Sequence, residues 1–88
     1  MNTKHPELLA AAIVFHAKGM SPDTAVEAAI GQLYRKRCRV SDRAKEAQTL
    51  NEKILYQRAA ALLEEERRDC RADYFKLVDC VKAAAVQI

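Results

Sequence analysis

The chain has 88 residues, half of them apolar, a net charge of +3 and three cysteines, Cys38, Cys70 and Cys80. That length suits one domain with a thin stability margin, and the apolar share argues against disorder. Three irregularly spaced cysteines make no disulfide framework and fit a reducing cytoplasm, and no apolar run reaches the roughly 18 residues that a bilayer span needs.

The charge is unevenly spread. Residues 35–45, "RKRCRVSDRAK", hold six basic groups against one acidic, a net +5, whereas residues 1–34 and 46–88 each come to −1. Proline and glycine fall only at Pro6, Gly19, Pro22 and Gly31. Past Gly31 the chain is rich in Ala, Leu, Glu, Lys, Arg and Gln, all good helix formers, and it lacks alternating β-type segments.

The first helix is predicted over 6–18. Pro6 suits its first position, where a missing N–H costs nothing, and Gly19 tolerates the left-handed conformation that ends many helices. Lys4 and His5 ahead of the eight apolar residues 8–15 imitate a short signal-peptide core. The run is too brief, however, and His16 and Lys18 follow at once, so it reads as folded structure. The run is apolar on every side, and such a helix needs to be surrounded. Leu9, Ile13 and Phe15 are therefore predicted to bind a partner protein or a second copy of the chain.

The second helix, 22–38, opens at "SPDTAVEAA" with Ser21 as N-cap, Pro22 in the first turn and Asp23 at the positive end of the helix dipole. "HAKGMSPDTA", residues 16–25, resembles the turn of helix-turn-helix DNA readers. Asp23 and Glu27 stand at the end that would face phosphate, and Phe15 occupies a place where those motifs want a small residue. An ordinary helical hairpin explains the stretch better.

Val40-Ser41-Asp42 is predicted to break the chain, with Ser41 capping a third helix over 42–68 and a fourth over 70–86. The last two are either continuous, at about 68 Å for about 45 residues, or separated by a turn near Asp69–Asp73. A stripe runs through Ala44, Ala47, Leu55, Ala59 and Leu62, then Cys70, Tyr74, Leu77, Val81, Ala84 and Ile88. Its period is near 3.67, unlike a heptad coiled coil. "EEERRD", residues 64–69, interrupts the stripe, with Glu66 where an apolar residue is wanted. Glu64, Glu65 and Glu66 are expected to pair along the helix with Arg67, Arg68 and Arg71 or to face water.

The resulting expectation is an all-α fold. An N-terminal helical hairpin precedes one long helix, broken at most once, in a helical bundle completed by oligomerisation, with a dimer favoured. No nucleophile motif or glycine-rich phosphate loop is present. No Cys-x-x-Cys occurs, and the two histidines fall at no ligand spacing with the cysteines. The chain is therefore read as non-enzymatic, with no catalytic residue, cofactor, metal site or membrane association. Cys70 is expected in the core, and Cys38 as a bystander among cations.

The predicted role is a cytoplasmic protein-interaction module, an adaptor, inhibitor or regulator of another protein. By analogy alone, small phage and mobile-element accessory proteins share this character. The alternative is a nucleic-acid-binding transcriptional regulator using Arg35, Lys36, Arg37, Arg39, Arg43 and Lys45. The same six side chains could instead meet a protein, or form a solvated corner between two helices.

Overall fold

The computed structural model describes residues 4–86, with side chains to residue 84. Among the described residues the chain is all-α, without strands. Helix α1 spans Pro6–Ala17, α2 Pro22–Glu46, α3 Leu50–Ala72 and α4 Tyr74–Val86. Ile88, the last position of the predicted stripe, lies outside the described residues.

The α1–α2 turn is built as its sequence suggests. Pro6 holds the first position of α1, and Gly19 adopts φ +113° just past its end. Open space surrounds the place a Cβ would occupy at Gly19, so its cost to a side chain is conformational. His16 Nδ1 lies 2.7 Å from the Met20 carbonyl oxygen and donates to it, tying the turn together. Ser21 stands at the N-cap of α2 but does not cap the backbone. Its hydroxyl donates to the Asp23 carboxylate at 2.7 Å and shares a hydrogen bond with the Thr24 hydroxyl at 2.8 Å.

The predicted break at residues 40–42 does not occur. Helix α2 runs through Ser41 and Asp42 to Glu46, and the chain turns at Ala47, whose ψ of 136° is extended. Thr49 is the real N-cap, its hydroxyl accepting from the Glu52 amide at 3.1 Å. The physical reason lies in local sequence. Thr49 has a glutamate three residues on, the spacing of a capping box, whereas the residue three after Ser41 is Ala44. Ala44 is also buried, which holds that turn of α2 against α3.

Between α3 and α4 the helix is interrupted at one residue, Asp73 (φ −97°, ψ 15°). Its amide still bonds the Asp69 carbonyl at 3.1 Å, and its carbonyl accepts from the Leu77 amide at 2.9 Å. A continuous straight helix of about 68 Å would not fit a molecule 50 Å long, and α4 instead returns against α1 and α2.

One end of the molecule holds nearly all the core. Leu8, Leu9 and Ala12 of α1 meet Ala25, Val26, Ala29 and Ile30 of α2, Cys70 of α3, and Leu77, Val78 and Val81 of α4. Toward the α2–α3 turn only Ala44 and Ala60 are buried. The two helices there form a two-stranded arm with no third helix upon it, and α3 packs chiefly on α2.

This packing covers much of the α1 surface expected to meet a partner. Leu9 is in the core, and Ile13 and Phe15 are partly buried against it. The short chain covers most of α1 because α4 folds back over it. Val14 is the large apolar side chain of α1 left half-exposed, at 51%.

Candidate interaction surface

The basic stretch is the second half of α2 rather than a corner between helices. Helical spacing divides its six cations. Arg35, Arg39 and Arg43 recur every four residues and are exposed along one side of α2, whereas Lys36, also exposed, lines a pocket with Glu7 and Leu8 of α1 and Glu66 of α3. Arg37 points the other way, against α3, with its Nε 3.0 Å from Glu64 Oε2. That is an ion pair without good hydrogen-bond alignment, since the Arg37 Nε has no hydrogen-bond partner. Lys45 is exposed beside the α2–α3 groove, 4.0 Å from the Asp42 carboxylate.

Glu64 gathers the charge that crosses from α2 to α3. Arg67 grips it in a fork, at 2.6 Å through Nη2 and 3.0 Å through Nε, and Arg68 Nε lies 3.5 Å away. The hydrogen-bonded Arg67 first, then the charges of Arg67, Arg37 and Arg68, hold the Glu64 carboxyl down at about 2. The guanidinium carbons of Arg37 and Arg67 stand 5.1 and 5.9 Å from the centre of the Tyr34 ring, a cation–π pair. Arg71 does not join this cluster. It leaves α3 to meet Glu27 of α2 at 2.8 Å.

A second contact was not legible in advance. His5 is buried, and its Nε2 lies 3.1 Å from Asp73 Oδ2, pinning the start of α1 to the α3–α4 joint. Lys4 Nζ approaches the same carboxylate at 3.9 Å. The partners are 68 residues apart, so no local pattern could signal the pair.

Of the eight exposed large apolar side chains among the described residues, Phe75 of α4 is the most exposed at 79%, and four lie on α3: Leu50 at 74%, Ile54 at 49%, Leu55 at 60% and Leu62 at 61%. These four fall on two faces about 140° apart. Leu50, Ile54 and Gln57, at i, i+4 and i+7, share one. Gln57 lines a groove of about 530 Å³ together with Ser41, Ala44, Lys45, Lys53 and Ala60. Leu55, Ala59 and Leu62, with the same spacing, share the other. Leu62 lies in an open cleft with Lys4, His5, Glu65, Glu66 and Asp69. The missed signal was the doubling of apolar positions at Ile54 and Leu55, which a single stripe cannot absorb.

Cys70 is fully buried, and burial pushes its thiol up to about 11, the range of an inert core thiol. Cys38 and Cys80 are half-buried, and all three cysteines are free. Among the described residues, no group of three or more His, Cys, Asp or Glu side chains could hold a metal ion, and no helix is long and apolar enough to cross a membrane. Compared with known proteins, the chain matches no family model, no curated protein and no solved structure.

Proposed function

We propose that the protein is a non-enzymatic helical interaction module that binds another protein and acts as its adaptor, inhibitor or regulator. The supporting observation is the concentration of exposed Leu50, Ile54, Leu55 and Leu62 on one helix of an arm that the rest of the chain leaves uncovered. Exposed apolar side chains set among charged ones are a common mark of a protein contact. The groove face fits this role: small Ala44 and Ala60 form its floor, and Lys45 and Lys53 its rim, which suits an acidic partner surface.

The test compares wild type with Leu50→Glu/Ile54→Glu, both checked for helicity. The wild type is expected to retain a specific protein at about 0.5 M salt, because apolar burial resists screening. That protein, purified, should bind wild type and lose at least tenfold in affinity for the variant. Retention by both alike would refute the groove face.

A second reading is favoured by Arg35, Arg39 and Arg43 on one exposed helix face. In that reading α2 lies along a nucleic-acid backbone. Affinity would then fall steeply between about 50 and 200 mM salt. Arg35→Glu/Arg39→Glu/Arg43→Glu in a mobility-shift titration separates the two, leaving Arg37 in its pair with Glu64. Tight duplex binding that this variant abolishes would displace the interaction-module reading.

A further inference from the structure

We propose that the α2–α3 groove receives an acidic amphipathic helix of the partner protein, laid along the arm as a third helix. The inference rests on the interaction-module reading above and names the chemistry that the partner brings to that site. Shape and charge together select this occupant.

The groove is shaped to take a helix. Its floor is Ala44 of α2 and Ala60 of α3, both buried, with Ser41 and Gln57 beside them. Small floor residues let a third backbone come close. The other end of α2 already uses this device. There Ala12 of α1 shares a cluster with Ala25 and Ala29, all three at most 2% exposed. Leu50 and Ile54, four residues apart, form an exposed apolar ridge along the α3 edge of the groove. Ridges of that spacing interdigitate with those of another helix.

Charge says which helix. The ionisable side chains that line the groove are Lys45 of α2 and Lys53 of α3, with no carboxylate among the lining residues. Lys53 makes no ion pair among the described residues. Lys45 has only its 4.0 Å approach to Asp42, in which both groups stand largely in water and neutralise each other little. The positive excess continues along the same face. Gln57, Ala60, Glu64 and Arg68 follow one another on one side of α3 at helical spacing. Arg37, Arg67 and Arg68 share the single Glu64 carboxylate there, which leaves two guanidinium charges unbalanced. From Lys53 to Arg68 the face runs about 22 Å, the length of a helix of about 15 residues. Carboxylates on the flanks of an apolar stripe would reach Lys45 on α2 and Lys53 on α3, while the stripe rests on the alanine floor and against Leu50. A basic helix would set like charges together on both sides.

A surface-display library of random peptides of about 16 residues, panned against the full chain, tests the proposal. Recovered sequences are expected to carry apolar residues at i, i+3 or i+4 and i+7, and more Asp and Glu than Lys and Arg. One of them, synthesised, should gain helicity on binding. It should lose about tenfold or more in affinity for Lys45→Glu/Lys53→Glu, and likewise for Leu50→Glu/Ile54→Glu. Both variants alter side chains that face water in the free chain, so helicity should be retained. Exchanging the acidic residues of the peptide for Lys should restore binding to Lys45→Glu/Lys53→Glu and abolish it for the wild type. Recovery of basic or non-helical sequences, or of none, overturns the proposal. So does duplex DNA that binds the groove more tightly than the peptide, which would give the face to phosphate. Self-association of the wild type that Lys45→Glu/Lys53→Glu abolishes overturns it as well, in favour of a second copy. Binding lost in Leu50→Glu/Ile54→Glu but kept in Lys45→Glu/Lys53→Glu overturns the acidic helix alone and leaves the interaction module standing. Binding that neither variant weakens overturns the groove itself.

Discussion

The two ends of this molecule are made of the same two helices and differ in what lies upon them. At one end α2 and α3 meet α1 and α4, and Val26, Ile30, Cys70 and Val81 are enclosed on all sides. At the other end α2 and α3 have only each other, and Ala44 and Ala60 are the buried residues. A helix pair can bury one narrow seam, and small residues there set how closely it closes. Every further apolar side chain on the arm stays in water. Stability is therefore expected to be concentrated at one end and recognition at the other, as local opening is easiest where apolar contacts are few.

The largest effect should come from the enclosed end. Ile30→Ala removes a side chain that is 2% exposed and should cost about 2–5 kcal/mol, measured as a fall in the urea midpoint. A cost below about 1 kcal/mol would mean the four-helix end is loosely packed and would erase the contrast.

The turn at the tip of the arm comes next. Thr49→Ala removes the hydroxyl that accepts the Glu52 amide and should cost about 1 kcal/mol. Thr49→Ser should restore most of it in the same denaturation series. If Ser41→Ala proved the costlier change, the position of the α2–α3 turn would be wrong.

Acid should act on the junction between the ends. The Glu64 carboxyl sits at about 2, against an ordinary value near 4.5 in the unfolded chain. Its lowered value means that its stabilisation is complete above about pH 4.5 and is lost as pH falls toward 2. Glu64→Gln should flatten that limb of a stability–pH curve while leaving the neutral region with a constant offset. The carboxylate is only partly buried, so water still screens these charges and the effect should be smaller than loss of the cap.

Leu55→Ala should have the smallest effect, within about 0.5 kcal/mol for the dilute single chain. That small cost sharpens the comparison, since Leu55 is 60% exposed and Ile30 2%.

Much of the fold was legible because it rests on local chemistry. Helix-forming composition, Pro6 and Pro22 at first helical positions and Gly19 at φ +113° required nothing from distant parts of the chain. Ser41 misled because a serine suggests a cap wherever it falls. The stronger signal, Thr49 with Glu52, stood eight residues further on. Leu9, Ile13 and Phe15 were ambiguous for a different reason: an all-apolar helix announces that it must be covered but not by what, and here the chain itself covers much of it. The candidate surface was the least legible part, since Arg37 looks like its neighbours in sequence and only the approach of α3 withdraws it to Glu64.

By itself, the sequence determined that these residues would be helical, how the first two helices join, and which side chains carry charge. Propensity, capping and backbone φ are properties of a few neighbouring residues. The tertiary structure alone decided which apolar faces are covered, where Asp73 finds His5, and that the uncovered leucines lie on α3 instead of α1. Burial depends on which distant segments come together, and every helix of this chain has apolar side chains enough to have been either inside or out.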